Sequence, residues 1–138
     1  MSDAAAPATG GEAGGDDLHE LVGDWSTLPD LAERLGVPVG RVRRMVQDRL
    51  LLAIRTGPRG VWQVPVAFLT EPGVDPVQPR PELRGTFTVL ADGGMDDTEI
   101  IRWLFTPDPT LPAGGTPMDA LRGGHKTEIR RRAMELAF

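Results

Sequence analysis

The stretch from Thr27 to Val64, TLPDLAERLGVPVGRVRRMVQDRLLLAIRTGPRGVWQV, constrains this chain more than any other. Leu28, Leu31, Ala32 and Leu35 recur at i, i+3, i+4 and i+7, which is the apolar face of a short helix. Thr27 stands at the N-cap position, and Asp30 places a carboxylate at the positive helix end. Gly36 ends the helix, and Val37-Pro38 turns the chain into a second one. There Val42, Met45, Val46 and Leu50 share one face. The opposite face centres on Arg44 and is flanked by Gly40, Arg41, Gln47 and, further round, Arg43. Two short helices joined by a glycine-containing turn, the second apolar inside and basic outside, define a helix-turn-helix. Next, Leu50 to Arg55 and Val61 to Val64 are β-prone runs separated by Thr56-Gly57-Pro58-Arg59-Gly60, a hairpin with an arginine at its tip. The expected fold is therefore mainly α with a small β-hairpin wing: a winged helix-turn-helix.

Charge supports this reading through its distribution rather than its sum. The net charge is −5, which opposes binding to a polyanion. Residues 1–33 contribute −8, residues 34–64 contribute +6 and residues 65–138 contribute −3. The positive charge is concentrated on the segment assigned to DNA, and a local basic patch governs contact with phosphates. All seven bases of that patch are arginine, which binds phosphate in a bidentate way and pairs with guanine O6 and N7. Arg41 and Arg44 are expected at the major groove of double-stranded DNA, with Gly40, Arg43 and Gln47 beside them. Arg55 and Arg59 on the wing are expected at the backbone or minor groove.

Around this unit the chain divides into segments. Residues 1–17 are mostly Ala, Gly, Asp and Glu, with no large side chain after Met1, and are expected to be a disordered acidic tail. Ser2 and Thr9 are its accessible hydroxyls and candidate phosphorylation sites. Leu18, Leu21, Val22 and Trp25 begin the ordered part, so the winged helix spans 18–70; Trp25 is expected against the first helix and His19 at the surface. Residues 71–82 are proline-rich and read as an extended connector. Residues 83–138 form a small all-helical domain. Leu83, Phe87 and Leu90 keep helical spacing up to Gly93-Gly94. Asp96 and Glu99 form a capping pair before Ile100, Ile101, Leu104 and Phe105. Thr116-Pro117 with Asp119 starts another helix that Gly123-Gly124 stops. A last helix from about His125 has Ile129, Ala133 and Leu136 inward and Arg130 to Arg132 outward.

Catalytic chemistry finds no support. Cysteine is absent, His19 and His125 show no metal spacing, and the only serines are Ser2 and Ser26. The paired glycines lack the order of a phosphate-binding loop and read as helix stops. No enzyme activity, metal or cofactor is expected. There is no signal peptide and no membrane-length apolar run, so a cytoplasmic location without membrane attachment is expected.

RLGVPVGRVRRMV followed by a short hairpin resembles the excisionase and MerR type of winged helix. DTEIIRWLFTPDPTL at 97–111, PMDAL at 117–121 and the closing RRRAMELAF are similar to a small actinobacterial family of winged-helix DNA-binding proteins with a helical C-terminal domain. That family includes a substrate of a eukaryotic-like Ser/Thr kinase. The resemblance covers roughly residues 27–138 and implies a DNA-binding protein; it does not reach the tail, so a Ser/Thr kinase partner is expected there only from the accessible Ser2 and Thr9. The chain is expected to act as a transcriptional regulator. The C-terminal half also resembles the toxin-binding domain of bacterial antitoxins, which implies an adaptor function with a protein partner at those helices.

The tail carries Asp3, Glu12, Asp16 and Asp17 just before a +6 segment. A flexible tether of this length reaches roughly 20–25 Å, so it competes with phosphates for the arginines. A chain starting at Leu18 is expected to bind one duplex more tightly than the full chain, with the gap narrowing as salt rises. Equal affinities at low and moderate salt would leave the tail without this effect.

Overall fold

The computed structural model describes residues 17–71, 73, 76–112 and 114–137. The acidic tail, apart from Asp17, and its Ser2 and Thr9 lie outside the described residues. After a helical turn at 17–22, the elements are β1 (Trp25–Thr27), α1 (Leu28–Leu35), α2 (Val39–Gln47), β2 (Ile54–Thr56) and β3 (Val61–Pro65). A short 3-10 turn (Val66–Phe68) follows, then α3 (Leu83–Asp92), α4 (Asp97–Phe105), α5 (Pro117–Arg122) and α6 (Lys126–Ala137). The fold is mainly helical with one small antiparallel sheet, in the order β1-β3-β2.

Local chemistry sets these boundaries. Thr27 Oγ1 accepts from the Asp30 amide at 3.3 Å, and Gly36 closes α1 at φ 70°, where glycine avoids the Cβ clash of the left-handed region. Asp96 and Glu99 cap α4 reciprocally at 2.8 and 2.9 Å, and Thr116 and Asp119 do the same for α5 at 3.0 and 3.1 Å. The sheet departs from the two-stranded hairpin expectation in two ways. Strand β2 is confined to Ile54–Thr56, because Leu51, Leu52 and Ala53 before it turn into the core. A third strand, β1, pairs Trp25 with Pro65, Ser26 with Val64 and Thr27 with Gln63. Three residues are too few to show a period-two pattern.

His19 is not a free surface residue. Its ring stacks on Trp25 with centroids 5.8 Å apart, its carbonyl accepts from Trp25 Nε1 at 2.9 Å, and its Nδ1 lies 3.3 Å from Thr56 Oγ1. The turn at 17–22 is thereby fastened to the wing beside its tip turn.

The proline-rich segment does not run out as an extended connector. Thr70 donates its amide to Gln78 at 2.8 Å, Arg80 donates its amide to Phe68 at 2.8 Å, and Leu69 bridges Pro79. The two ends of the segment therefore meet at a neck. Arg80, 9% exposed, secures that neck: Nε donates to the Ala67 carbonyl at 3.2 Å, and its terminal nitrogens reach Glu71 and Glu82. Glu71 also faces Arg122 of α5 at 3.4 Å, and Arg122 followed by Arg80 holds the Glu71 carboxyl below its ordinary range.

One apolar core runs from Leu18 through Leu31, Val42 and Val64 to Phe68, Phe87, Ile101 and Ile129. Phe68 is fully buried between Phe87 (centroids 5.3 Å, edge-on) and Phe105 (5.9 Å). The winged helix thus covers Phe105, while Leu104 is fully buried and Trp103 half-buried.

In α6, Ile129 and Ala133 are buried as the spacing predicts, but Leu136 is 54% exposed, on the rim of a small cleft that it shares with Leu90, Gly93 and Met95. The three arginines do not form one solvated face. Arg131 pairs with Glu128 and Glu135, and Arg132 reaches Glu128, Asp108 and Thr110. Arg130 lies over the α3 backbone at Gly85, where an added Cβ would fall 2.7 Å from its Cζ. A side chain at position 85 would require the Arg130 guanidinium to move aside.

Phe68→Ala would empty the seam between the two halves and is expected to cost about 3–5 kcal/mol in chemical denaturation. A chain ending at Thr70 loses Phe87 and Phe105 as partners of Phe68 and should melt well below the full chain. Equal stability of the two would contradict shared packing across the seam.

Candidate nucleic-acid interface

Helix α2 owes its orientation to a few apolar anchors. Val42 is fully buried, and Val39, Met45 and Val46 pack partly against the core. Gly40, Arg41, Arg43, Arg44 and Gln47 are all exposed. At about 100° per residue they fill just under half the circumference. The sequence-derived face is therefore contiguous and open to solvent.

These guanidiniums are unengaged. Among the described residues, the side chains of Arg41, Arg43, Arg44 and Arg59 have no hydrogen bond or ion pair, as is true of Arg34 and Arg84, whereas Arg49, Arg80, Arg122, Arg131 and Arg132 are each held by a carboxylate. Among the described residues no carboxylate pairs with the arginines of the α2 face. Gly40 has nothing within 4 Å of where a Cβ would stand, so the backbone of α2 can be approached closely there.

The exit from α2 is the most strained point of this surface. Asp48 caps the helix, and Arg49 follows at φ 63°, the left-handed region that glycine occupies after α1. For a residue with a Cβ this costs about 1 kcal/mol or more. The Arg49 guanidinium bonds Asp97 at the start of α4 at 2.7 Å, and the Leu50 amide bonds the Met45 carbonyl at 2.9 Å. Arg49, one of the seven arginines of the basic segment, is thus spent on joining the two halves. No sequence signal separates it from its neighbours, because its partner lies 48 positions away.

The wing turns through Gly57 (φ 84°) and Gly60 (φ 61°), with the Gly60 amide donating to the Gly57 carbonyl at 3.1 Å. Arg59 is exposed at this tip. Arg55 is exposed as well, but its Nε donates to the Gly60 carbonyl at 3.2 Å and its guanidinium lies 5.9 Å above the Trp62 ring. Arg55 and Trp62 are cross-strand partners. The sequence reading passed over Trp62, although alternation along VWQV already sets it on the same face as Val64.

The described residues contain no group of three or more His, Asp or Glu side chains able to hold a metal ion, and none of their helices is long and apolar enough to cross a membrane.

An amphipathic second helix behind a tight turn, with a two-stranded wing after it, makes residues from β1 to β3 a winged helix-turn-helix. Comparison with known proteins agrees. Residues 15–69 match the family described as "DNA-binding protein Rv2175c, wHTH domain", and residues 81–137 match "Rv2175c C-terminal domain of unknown function". The chain is 38% identical over 134 residues to the DNA-binding protein Rv2175c of Mycobacterium tuberculosis (strain ATCC 25618 / H37Rv), covering 90% of this chain and 88% of that protein. The NMR structure of Rv2175c superposes with a TM-score of 0.73 at 38% identity, covering 83% of this chain and 82% of that one. The chain belongs to the Rv2175c family of winged helix-turn-helix DNA-binding proteins.

Gly40→Ala adds a methyl group to open space on a helix that glycine weakens. It is expected to raise unfolding free energy by roughly 0.5 kcal/mol, read from a urea titration. A loss of stability instead would mean that the backbone around Gly40 is not free.

Proposed function

We propose that this chain binds double-stranded DNA through α2 and the wing and acts as a transcriptional regulator. The observation that carries this reading is the exposed set Arg41, Arg43 and Arg44 on the outward face of α2, with Arg59 at the wing tip, whose side chains have no partner among the described residues. Kinship with a protein named for DNA binding supports it further. In this reading Arg41 and Arg44 approach base edges in the major groove, and Arg43 and Gln47 contact its margins. Arg55 and Arg59 hold the backbone or minor groove. Residues 18–70 serve as the DNA-binding unit and 83–138 as its helical support, joined by the loop at 71–82. Ser2 and Thr9 in the acidic tail are the hydroxyls through which a Ser/Thr kinase would add charge against the arginines. The exposed Met134 and Leu136 of α6 favour a second reading for the helical half, as an adaptor that binds another protein.

Affinity should fall steeply with salt. Four to six arginine–phosphate contacts give a slope of log K against log salt of roughly −4 to −5. Arg44→Ala is expected to cost on the order of 1–3 kcal/mol and to relax sequence preference, whereas Arg59→Ala should weaken all sequences alike and flatten the slope by about one. Gly40→Ala should lower affinity despite its stabilising effect. Unchanged binding by the Arg41→Ala, Arg44→Ala double variant at low salt would end the assignment.

A further inference from the structure

Three tryptophans occur in this chain, and they are not in equivalent positions. Trp25 is half-buried, stacked on His19, and its indole N–H is bonded to a carbonyl at 2.9 Å. Trp103 is half-buried on α4. Trp62 is 53% exposed, and among the described residues its indole N–H has no acceptor. An indole is the side chain that loses most by standing in water, since burial of its rings removes a large apolar area from solvent.

Its location is informative. On β3 the side chains alternate, so Trp62 shares a face with Val64, and that face continues through Ser26 opposite Val64 and Arg55 opposite Trp62. Val64 and Ser26 are buried, so the face turns inward at one end. Arg55 and Trp62 are where the same face emerges from the core toward the wing tip. The other face carries Ile54, Thr56 and Gln63, and Thr56 meets His19 of the N-terminal turn. Trp62 is therefore on the side of the wing away from that turn, with Arg55 above its ring and Arg59 at the tip beyond.

We infer that Trp62 is a DNA-contacting residue: its indole packs on a deoxyribose of the backbone, and its Nε1–H donates to the neighbouring phosphate oxygen. This rests on the DNA-binding reading above and adds to it a contact that is not ionic. The chemistry fits one occupant. A flat apolar ring with one guanidinium over it and a second arginine at the tip beyond suits a sugar between two phosphates, with the ring on the sugar and the cations on the oxygens. The Arg55 guanidinium, bonded to the Gly60 carbonyl and set over the ring, keeps both in one orientation before any contact is made. A second protein surface would have to satisfy the same two cations with carboxylates.

The full chain and one duplex that it binds suffice for the test. Acrylamide quenching of tryptophan fluorescence is measured with and without duplex, and the Trp62 component is identified by its loss in Trp62→Phe. The duplex is expected to shield that component, while the Trp25 and Trp103 components change little. Trp62→Ala should weaken binding roughly five- to ten-fold, the size of one apolar or hydrogen-bonded contact. Trp62→Phe, which keeps a ring but loses the donor, should fall between. Because no counterion is released at this contact, the salt slope of Trp62→Ala should equal that of the unaltered chain, in contrast to Arg59→Ala. Since the quenching experiment needs only the unaltered chain and the conservative Trp62→Phe, it decides even if Trp62→Ala fails to fold. Trp62 fluorescence as accessible with duplex as without it, or a Trp62→Ala affinity equal to that of the unaltered chain, overturns the inference while leaving the arginine assignment intact. Failure of the unaltered chain to bind any duplex overturns both. Shielding of Trp62 by a second copy of the chain in the absence of DNA also overturns it.

Discussion

The rest of the structure depends on the burial of Phe68. It ends the short turn after β3, and its ring enters the helical half between Phe87 of α3 and Phe105 of α4. A winged helix of this size has few residues with which to build a core, and small domains bury a low fraction of their surface. Sharing one apolar cluster with four more helices supplies the missing burial. The polar groups around the seam follow from that choice. Once Phe68 is inside, the backbone on either side must find partners, and the returning strand at 78–80 provides them. Arg80 then satisfies the Ala67 carbonyl, with Glu71 and Glu82 balancing its charge.

Arginine has two uses in this molecule, and the carboxylates sort them. Where an acid is near, the guanidinium becomes a strut: Arg49 on Asp97, Arg122 on Glu71, Arg132 on Glu128 and Asp108. On α2 acids are sparse, and Arg41, Arg43 and Arg44 stay uncommitted. The strut at Arg49 is set directly after α2 in a backbone region unfavourable for an arginine. The tilt of α2 is thereby tied to the first turn of α4, so the helical half bears on how the open face is presented.

The helix-turn-helix was legible because its signals are local. Thr27, Gly36 and the spacing of Leu28, Leu31 and Leu35 act within a few residues of one another, as do the capping pairs Asp96–Glu99 and Thr116–Asp119. Basic residues on one face of α2 could likewise be placed from helical geometry alone. What escaped depends on distant partners. Strand β1 exists only because β3 returns beside it, and His19 becomes structural only once Thr56 and Trp25 are near. Arg130 looked solvated until α3 offered a glycine across from it. The proline-rich segment looked like a spacer because proline content reports stiffness but says nothing about whether the two ends pair.

That pairing has a consequence for how the family can vary in length. The halves are joined through bonds at the neck, between 68–70 and 78–80, rather than through the chain beyond it. Lengthening the chain between the two sides of the neck raises the entropic cost of closing it by about 0.6 kcal/mol for each doubling of length. Changes of length here are thus cheap as long as Glu71 keeps Arg80 and Arg122 and Val77 keeps its place against the core. An alignment that opens a gap between residues 71 and 77 compares like with like on both sides. One that opens it inside the neck does not.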